Sequence, residues 1–578
     1  MRLYTLLFLT LFLIAHTPVQ SQDTKQVRNV ILLIPDGTST SVLSLARWYK
    51  YAQSPSDNCK LAVDPYICGL VHTYSSDAPI GDSAPTSSCY ATGMPSQTGF
   101  VATYPVSVAG RDLVKLDPSR AYQPLTTVLE AAKLKKKSTG IVVTCHFPHA
   151  TPADFSAHTP ERDLYFPIAT QMVYNNLDVM MGGGQNYLDP KVRTDGQNLV
   201  NVLKKRGYTV ANNVKGFKAL NPRDTLVWSL LTKEDFPYDL DRKFLNDSLP
   251  SLETMTNAAL RILNQNPNGF FLMVEGSKID WAAHANDPTG IITEFLAFDD
   301  AVKAALSFAR IDGNTAVIVC PDHGNSGISM GNSGTNKGYD TISLKNIYGP
   351  VLTSRITNSA FYSQLTRSNK TPGNEEIRAT YKSEFGINDA TDKEIKSIGD
   401  SIKSPKMVSR YALKALNSRT NIGFTTTGHT GEDVFLAMYH PRNYRLNGLA
   451  YNTDINKYIC EVLNLPSLDS LTKVRFVIDT TLLKGFVFNL SDSICKGKSN
   501  DDHYGKIEIK KDKKSSKRAV IKGNTDFVTI YDGKKSKEIR LGSICPYVYI
   551  EKTGTTKDKT FKHIYLPHFI VVILENEL

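Results

Sequence analysis

The 578-residue chain has no CxxC pair among its eight cysteines, which removes zinc knuckles and thioredoxin-type redox motifs from consideration. It has no internal repeat of solenoid length. Beyond its first segment it also has no apolar run long enough to cross a bilayer, since Phe569 to Leu574 is only strand-sized. Compositional bias is missing too: hydrophobic residues make up 41% and charged residues 21%, which excludes a disordered or collagenous chain. The net charge of +11 favours anionic ligands in general, but it is spread too thinly to name nucleic acid as a partner.

At about 150 residues per domain, the length allows several domains or one large catalytic domain with insertions. Arg2 precedes the apolar run Leu3 to Ala15, and Val19 and Ser21 place small residues before a cleavage point at Gln22. This pattern predicts a signal peptide over residues 1–21 and an exported protein, periplasmic or secreted, with no transmembrane segment. Export permits disulfides, and Cys59 and Cys68 are close enough in sequence for a local bridge. Cys145 and Cys320 end apolar runs and read as buried thiols.

Short apolar runs alternate with helical patterns, the signature of an α/β fold with a mostly parallel central sheet flanked by helices. The strand candidates are Val30 to Ile34, Gly140 to Thr144, Gly269 to Val274, Ala316 to Cys320 and Val434 to Tyr439. Pro124 to Leu134, Leu252 to Asn264 and Ile292 to Ala309 have the apolar spacing of crossover helices. Polar residues just past the strands should therefore converge at one sheet edge. Residues 331–420 read as an inserted lobe, with helices around Lys393 to Ser401 and Met407 to Leu416. From about 467 short alternating stretches, Lys506 to Ile509, Phe527 to Tyr531 and Tyr547 to Glu551, argue a β-rich C-terminal extension over 467–578. Its basic stretch around Lys510 to Arg518 reads as a solvated loop rather than a surface for anions.

Chemistry gathers at the predicted strand ends. Asp36 follows the first strand in Ile34-Pro35-Asp36-Gly37. Glu275 ends another, and Asp280 and His284, four apart, share one helical face and can share one metal. Asp322 and His323 follow a buried strand, and His429 stands between Gly428 and Thr430 before another. Together these are too many carboxylates and imidazoles for one cation; mixed oxygen and nitrogen donors suit zinc, and surplus carboxylates suit a neighbouring magnesium. Ser83 opens a helix of small residues, where free backbone amides favour an anion and a nearby zinc would make it a nucleophile. Downstream, Thr151 offers a hydroxyl ligand, His149 a ligand or a group behind the ligands, and Arg162 a fork matched to two phosphate oxygens.

This ordered set resembles the alkaline phosphatase family from about Val27 to about Leu465. The resemblance implies a catalytic domain over 22–466 with one zinc held by Asp280, His284 and His429, and a second by Asp36, Asp322 and His323 beside Ser83. It implies a magnesium held by Asp36, Thr151 and Glu275, and Arg162 as the phosphate-binding arginine. The implied activity is hydrolysis of small phosphate monoesters through a phosphoserine on Ser83, and the family's usual dimeric state implies a homodimer. The chain departs from the family pattern at Pro85, Ser87 and Cys89 in the nucleophile helix. It also carries His149 and Trp281 where some members have an acidic and a basic residue, as in a bacterial subset, which makes zinc an alternative to magnesium at the third site. The competing readings are another hydrolase of the same superfamily, a phosphodiesterase or a sulfatase, and a noncatalytic polyanion-binding exported protein.

Overall fold

The computed structural model describes residues 25–55, 59–221, 223–244, 248–368, 370–478, 487–491, 506–512, 514–522, 527–540 and 565–567. The predicted signal peptide and the strand expected at Tyr547 to Glu551 lie outside them. Ten strands form the central sheet: β1 Asn29–Pro35, β2 Ile67–His72, β3 Ser138–His146, β4 Val179–Gly183, β5 Thr209–Ala211, β6 Val227–Thr232, β7 Phe270–Gly276, β8 Thr315–Val319, β9 Val434–Tyr439 and β10 Gly448–Tyr451. Their order is β10-β2-β9-β8-β1-β7-β3-β4-β6-β5. Every pairing is parallel except those of β9, which runs antiparallel to both β2 and β8. Because β9 runs backward, residues that precede it reach the same sheet edge as residues that come after its neighbours.

The central strands β1, β7 and β8 are buried along their whole length, as parallel strands covered on both faces must be. Alternation sorts their side chains onto two faces. Ile31, Leu33, Leu272 and Val274 join one core, packed under the helices Ser41–Gln53, Leu252–Leu263 and Pro288–Asp312. Val30, Leu32, Phe271 and Met273 join the other, under Val128–Leu134, Tyr165–Tyr174 and Asn452–Val462. The register Ile34↔Glu275 brings the ends of β1 and β7 side by side.

Among the described residues, the inserted lobe holds five α-helices, Leu344–Tyr348, Asn358–Leu365, Asn374–Phe385, Asp392–Asp400 and Pro405–Asn417. Only the last two are readable from sequence. The third buries just Ile377, Tyr381 and Phe385, a stripe too narrow to stand out among polar residues. These residues extend the first core, so the lobe is continuous with the sheet's packing. At the C-terminus, Val487–Ser491, Lys506–Lys510, Lys517–Lys522, Phe527–Asp532 and Lys535–Arg540 form a separate five-stranded antiparallel meander. Phe476–Ile478 pairs antiparallel with Tyr565–Pro567. No helix among the described residues is long and apolar enough to cross a membrane.

One cysteine expectation is corrected. Cys59 and Cys68 are both free thiols, and Cys68, on β2, turns its Sγ onto the Leu436 carbonyl of β9 at 3.6 Å instead of toward Cys59. Cys145 and Cys320 are buried free thiols, as read from sequence.

Glu130, on the helix Val128–Leu134, is buried at the junction with the chain beyond residue 465. Burial alone would raise its carboxyl, but Arg475 and His158 outweigh it and bring it from 4.5 to about 2. A carboxyl depressed on folding contributes stability above its unfolded pKa and loses it as the pH falls toward its folded one. Glu130→Gln is therefore expected to be less stable than wild type at neutral pH. The gap should close as the pH falls from 4.5 to about 2, as measured by urea unfolding of the chelated proteins. A gap independent of pH would show that the carboxylate's charge is not what stabilises the junction.

Candidate active site

Five adjacent strands deliver the predicted residues to one edge. Asp36 follows β1, Glu275 sits at the end of β7, Asp322 and His323 follow β8, His149 and Thr151 follow β3, and His429 precedes the reversed β9. Asp280 and His284 lie on the helix Lys278–Ala285 directly after β7. Ser83 is the first residue of the helix Ser83–Thr92, buried along its whole length, which its small side chains permit.

The three histidines are oriented alike. Nδ1 of His284 faces the Thr427 carbonyl at 2.7 Å, Nδ1 of His429 the Gly81 carbonyl at 2.9 Å, and Nδ1 of His323 the Gly324 carbonyl at 3.1 Å. A carbonyl can only accept, so each Nδ1 carries a hydrogen and each ring turns its Nε2 toward the shared centre. His284 Nε2 and His429 Nε2 are 3.0 Å apart, with Asp280 3.4 Å from the first and 3.6 Å from the second. Burial, then the neighbouring His323, pushes His429 down to about 4, so it is neutral at physiological pH. Two ring nitrogens facing each other beside a carboxylate fit a divalent cation.

A second cluster adjoins it. His323 Nε2 is 3.5 Å from both Asp36 Oδ1 and Asp322 Oδ2, and Ser83 Oγ is 3.2 Å from the same nitrogen. Asp36, Asp280 and His323 also lie within mutual ligand distance, so Asp280 stands between the two clusters. Both oxygens of Asp36, Oδ2 of Asp322, Oε1 of Glu275 and the Thr151 hydroxyl are buried with no hydrogen-bond partner among the described residues. Burial and the neighbouring carboxylates push Asp36 well up, burial pushes Asp322 up, and burial takes Glu275 to about 8. Such groups hold protons or cations, and imidazole with carboxylate donors fits metal. Cys145, His149 and Glu275 form a third group within ligand distance.

Arg162 is held in advance of any ligand. Its Nη1 donates to Asp82 Oδ1 at 2.5 Å and its Nη2 to His149 Nε2 at 3.3 Å. Burial opposes the charge of both partners of the ion pair, but their mutual attraction prevails, lowering Asp82 and raising Arg162. Burial and Arg162 push His149 well down, so its ring is neutral. Trp281 stands edge-on to the His149 ring at 5.8 Å between centroids.

A sequence model of the alkaline phosphatase family matches residues 27–465. The chain belongs to the alkaline phosphatase family. It is 33% identical over 455 residues to alkaline phosphatase 4 of Bacillus subtilis, covering 77% of this chain and 90% of that one. It is 29% identical to the repressible alkaline phosphatase of Saccharomyces cerevisiae, covering 76% of this chain and 81% of that one. Among solved structures, the cold-active alkaline phosphatase of a Shewanella species superposes with a TM-score of 0.64 at 25% identity, covering 75% of this chain and 99% of that one.

The alkaline phosphatase fold thus brings together all the residues singled out in the sequence. Two polar partners escaped that reading. Asp82 orients Arg162, and its signal was a carboxylate directly before the nucleophile candidate. Asn325 donates to Asp280 Oδ1 at 2.7 Å and carried no motif of its own. Gly37 also has a role beyond its turn. Its φ is +61°, and a Cβ there would stand 2.3 Å from Asp280 Oδ1. Gly37→Ala is therefore expected to displace the Asp280 carboxylate and lower the content of tightly bound divalent metal, measured per mole of purified protein. Full metal content in that variant would show that the carboxylate position is not tied to Gly37.

Proposed function

We propose that the chain is an exported alkaline phosphatase that hydrolyses small phosphate monoesters through a phosphoserine on Ser83, with two zinc ions and a third metal. The observation that carries this reading is the convergence of Ser83, the Arg162 fork and the unpartnered buried ligand atoms at one sheet edge. Asp280, His284 and His429 would hold one zinc, and Asp36, Asp322 and His323 the other. Asp36, Thr151 and Glu275 would hold the third metal, magnesium, with zinc an alternative. When bound, the ions supply Lewis acidity and positive charge, which lower the pKa of ligated oxygens and neutralise the phosphate. The leader pattern at residues 1–21 supports export.

The chain's own residues set the geometry. Arg162, already ordered by Asp82, presents two N–H groups to two phosphate oxygens. The N-terminus of the Ser83 helix faces the same anion, which suits negative charge developing on the phosphoryl oxygens. Ser83 Oγ attacks phosphorus in line, the ester P–O bond breaks, and the alcohol departs. Water then attacks the phosphoserine, releasing phosphate and restoring the hydroxyl. Because the contacts are to the phosphate, selectivity for the leaving group is broad.

Ser83→Ala is expected to lower turnover of a chromogenic monoester by about a thousandfold or more while leaving the fold intact. Labelled phosphate trapped at low pH should map to Ser83; label on Thr86 or Ser88, or faster turnover of a diester or sulfate ester, would overturn the reading. The neutral, buried His149 brings no negative charge to the third site, whereas magnesium, which keeps part of its water shell, favours one. His149→Asp is expected to tighten magnesium binding, read by metal analysis and by activity titrated after gentle chelation. Equal magnesium affinity in both forms would show that His149 does not tune the site.

A further inference from the structure

The family match ends at residue 465, yet the chain stays packed on the catalytic core beyond it. The helix Leu468–Arg475 buries Leu468 and Thr472, and the following Phe476 is 2% exposed. Polar contacts seat this segment: Thr126 N donates to Thr472 Oγ1 at 2.8 Å, Gln123 Nε2 to the Phe476 carbonyl at 3.1 Å, Arg475 Nη2 to Glu130 Oε1 at 3.1 Å, and Arg120 Nη1 pairs with Asp469 Oδ1 at 2.8 Å. Backbone pairing with Tyr565–Pro567 holds its far end.

From Glu130 the contacts run toward the phosphate site. Glu130 Oε1 is 3.3 Å from His158 Nε2, and the Phe476 ring stands edge-on to the His158 ring at 5.2 Å. His158 Nδ1 faces the Ala102 carbonyl at 3.1 Å, while Val101 and Thr159 exchange backbone hydrogen bonds of 2.8 and 3.0 Å. Arg162 N donates to the Gly99 carbonyl at 2.9 Å. The same stretch reaches the nucleophile helix, since Asp154 accepts from Ala102 N and from Ser87 Oγ, both at 2.6 Å.

We propose that residues 468–478, the root of the C-terminal extension, are a positioning element for phosphate binding. Arg475, through Glu130 and His158, fixes the segments 99–103 and 158–162 and thereby sets the Arg162 guanidinium. The proposal rests on Arg162 as the phosphate-binding residue. Two features make Arg475 the decisive contact. The pair is buried, with side-chain exposures of 12% and 3%, so removing the cation strips a buried carboxylate of its ion-pair partner and leaves its charge to His158 and the Thr127 amide. The effect on Arg162 is geometric, and small displacements of a positioning group carry large kinetic effects.

The test uses the full-length protein with Arg475→Met, Arg475→Lys and Thr472→Val, each alone and combined with Arg162→Ala, with circular dichroism confirming the fold. Read out are kcat and KM for a chromogenic monoester and Ki for inorganic phosphate. Arg475→Met is expected to raise KM and phosphate Ki by about tenfold with a smaller change in kcat. Arg475→Lys should recover part of the loss, and Arg475→Met should add nothing to phosphate Ki once Arg162 is alanine. Unchanged Ki in a folded Arg475→Met protein would overturn the proposal, as would the same fold-change in both backgrounds. If Arg475→Met does not fold, Thr472→Val is judged by the same two-background comparison. Wild-type phosphate Ki in Arg162→Ala alone would overturn the reading of Arg162 itself, and the proposal with it.

Discussion

The constraint on which the structure depends is a set of carboxyl groups held out of water with too few partners. Asp36, Glu275, Asp280 and Asp322 are buried at one sheet edge, and three imidazoles turn their Nε2 atoms among them. Apolar packing cannot stabilise such a set; only cations or bound protons can. Much of the surrounding architecture serves to keep the set in place before any cation arrives. Backbone carbonyls fix each ring, Gly37 and His323 amides hold Asp322, and Asn325 holds Asp280. The fold thus carries the electrostatic cost of the site in its rigid parts, the ends of buried strands, where side chains have little freedom to relax.

Strand order explains why one edge can hold so many donors. The run β9-β8-β1-β7-β3 places five strand ends next to one another, each contributing one or two polar residues. Four of these strands contribute residues at or just past their C-terminal ends, and β9 contributes a residue shortly before its start. An antiparallel strand in a parallel sheet is therefore a device for drawing a ligand from a distant part of the chain: His429 reaches Asp280 across nearly 150 residues of sequence, which include the whole inserted lobe.

The legible part of the sequence was whatever burial on both faces had simplified. The strands β1, β3, β7, β8 and β9 each contain a short buried apolar run, and the polar residues at their ends stood out against it. The rest was hidden for physical reasons. β2 leaves Ile67 and Leu70 exposed and so lacks a clean pattern, β4 ends in glycines, and β5 is three residues long. The direction of β9 is a property of its neighbours and leaves no mark on its own residues. The same holds for Asp82, whose role appears only once Arg162 has folded against it, and for Cys68, whose spacing from Cys59 said nothing of the side of the strand on which its sulfur would lie.

The pairing of Phe476–Ile478 with Tyr565–Pro567 gives the chain beyond the catalytic core the topology of a closed loop. Everything between Ile478 and Tyr565, including the five-stranded meander, leaves and returns through strands spaced about 4.8 Å apart. The register from Phe476↔Pro567 to Ile478↔Tyr565 therefore ties the chain on either side of the meander to one point beside the enzyme's core.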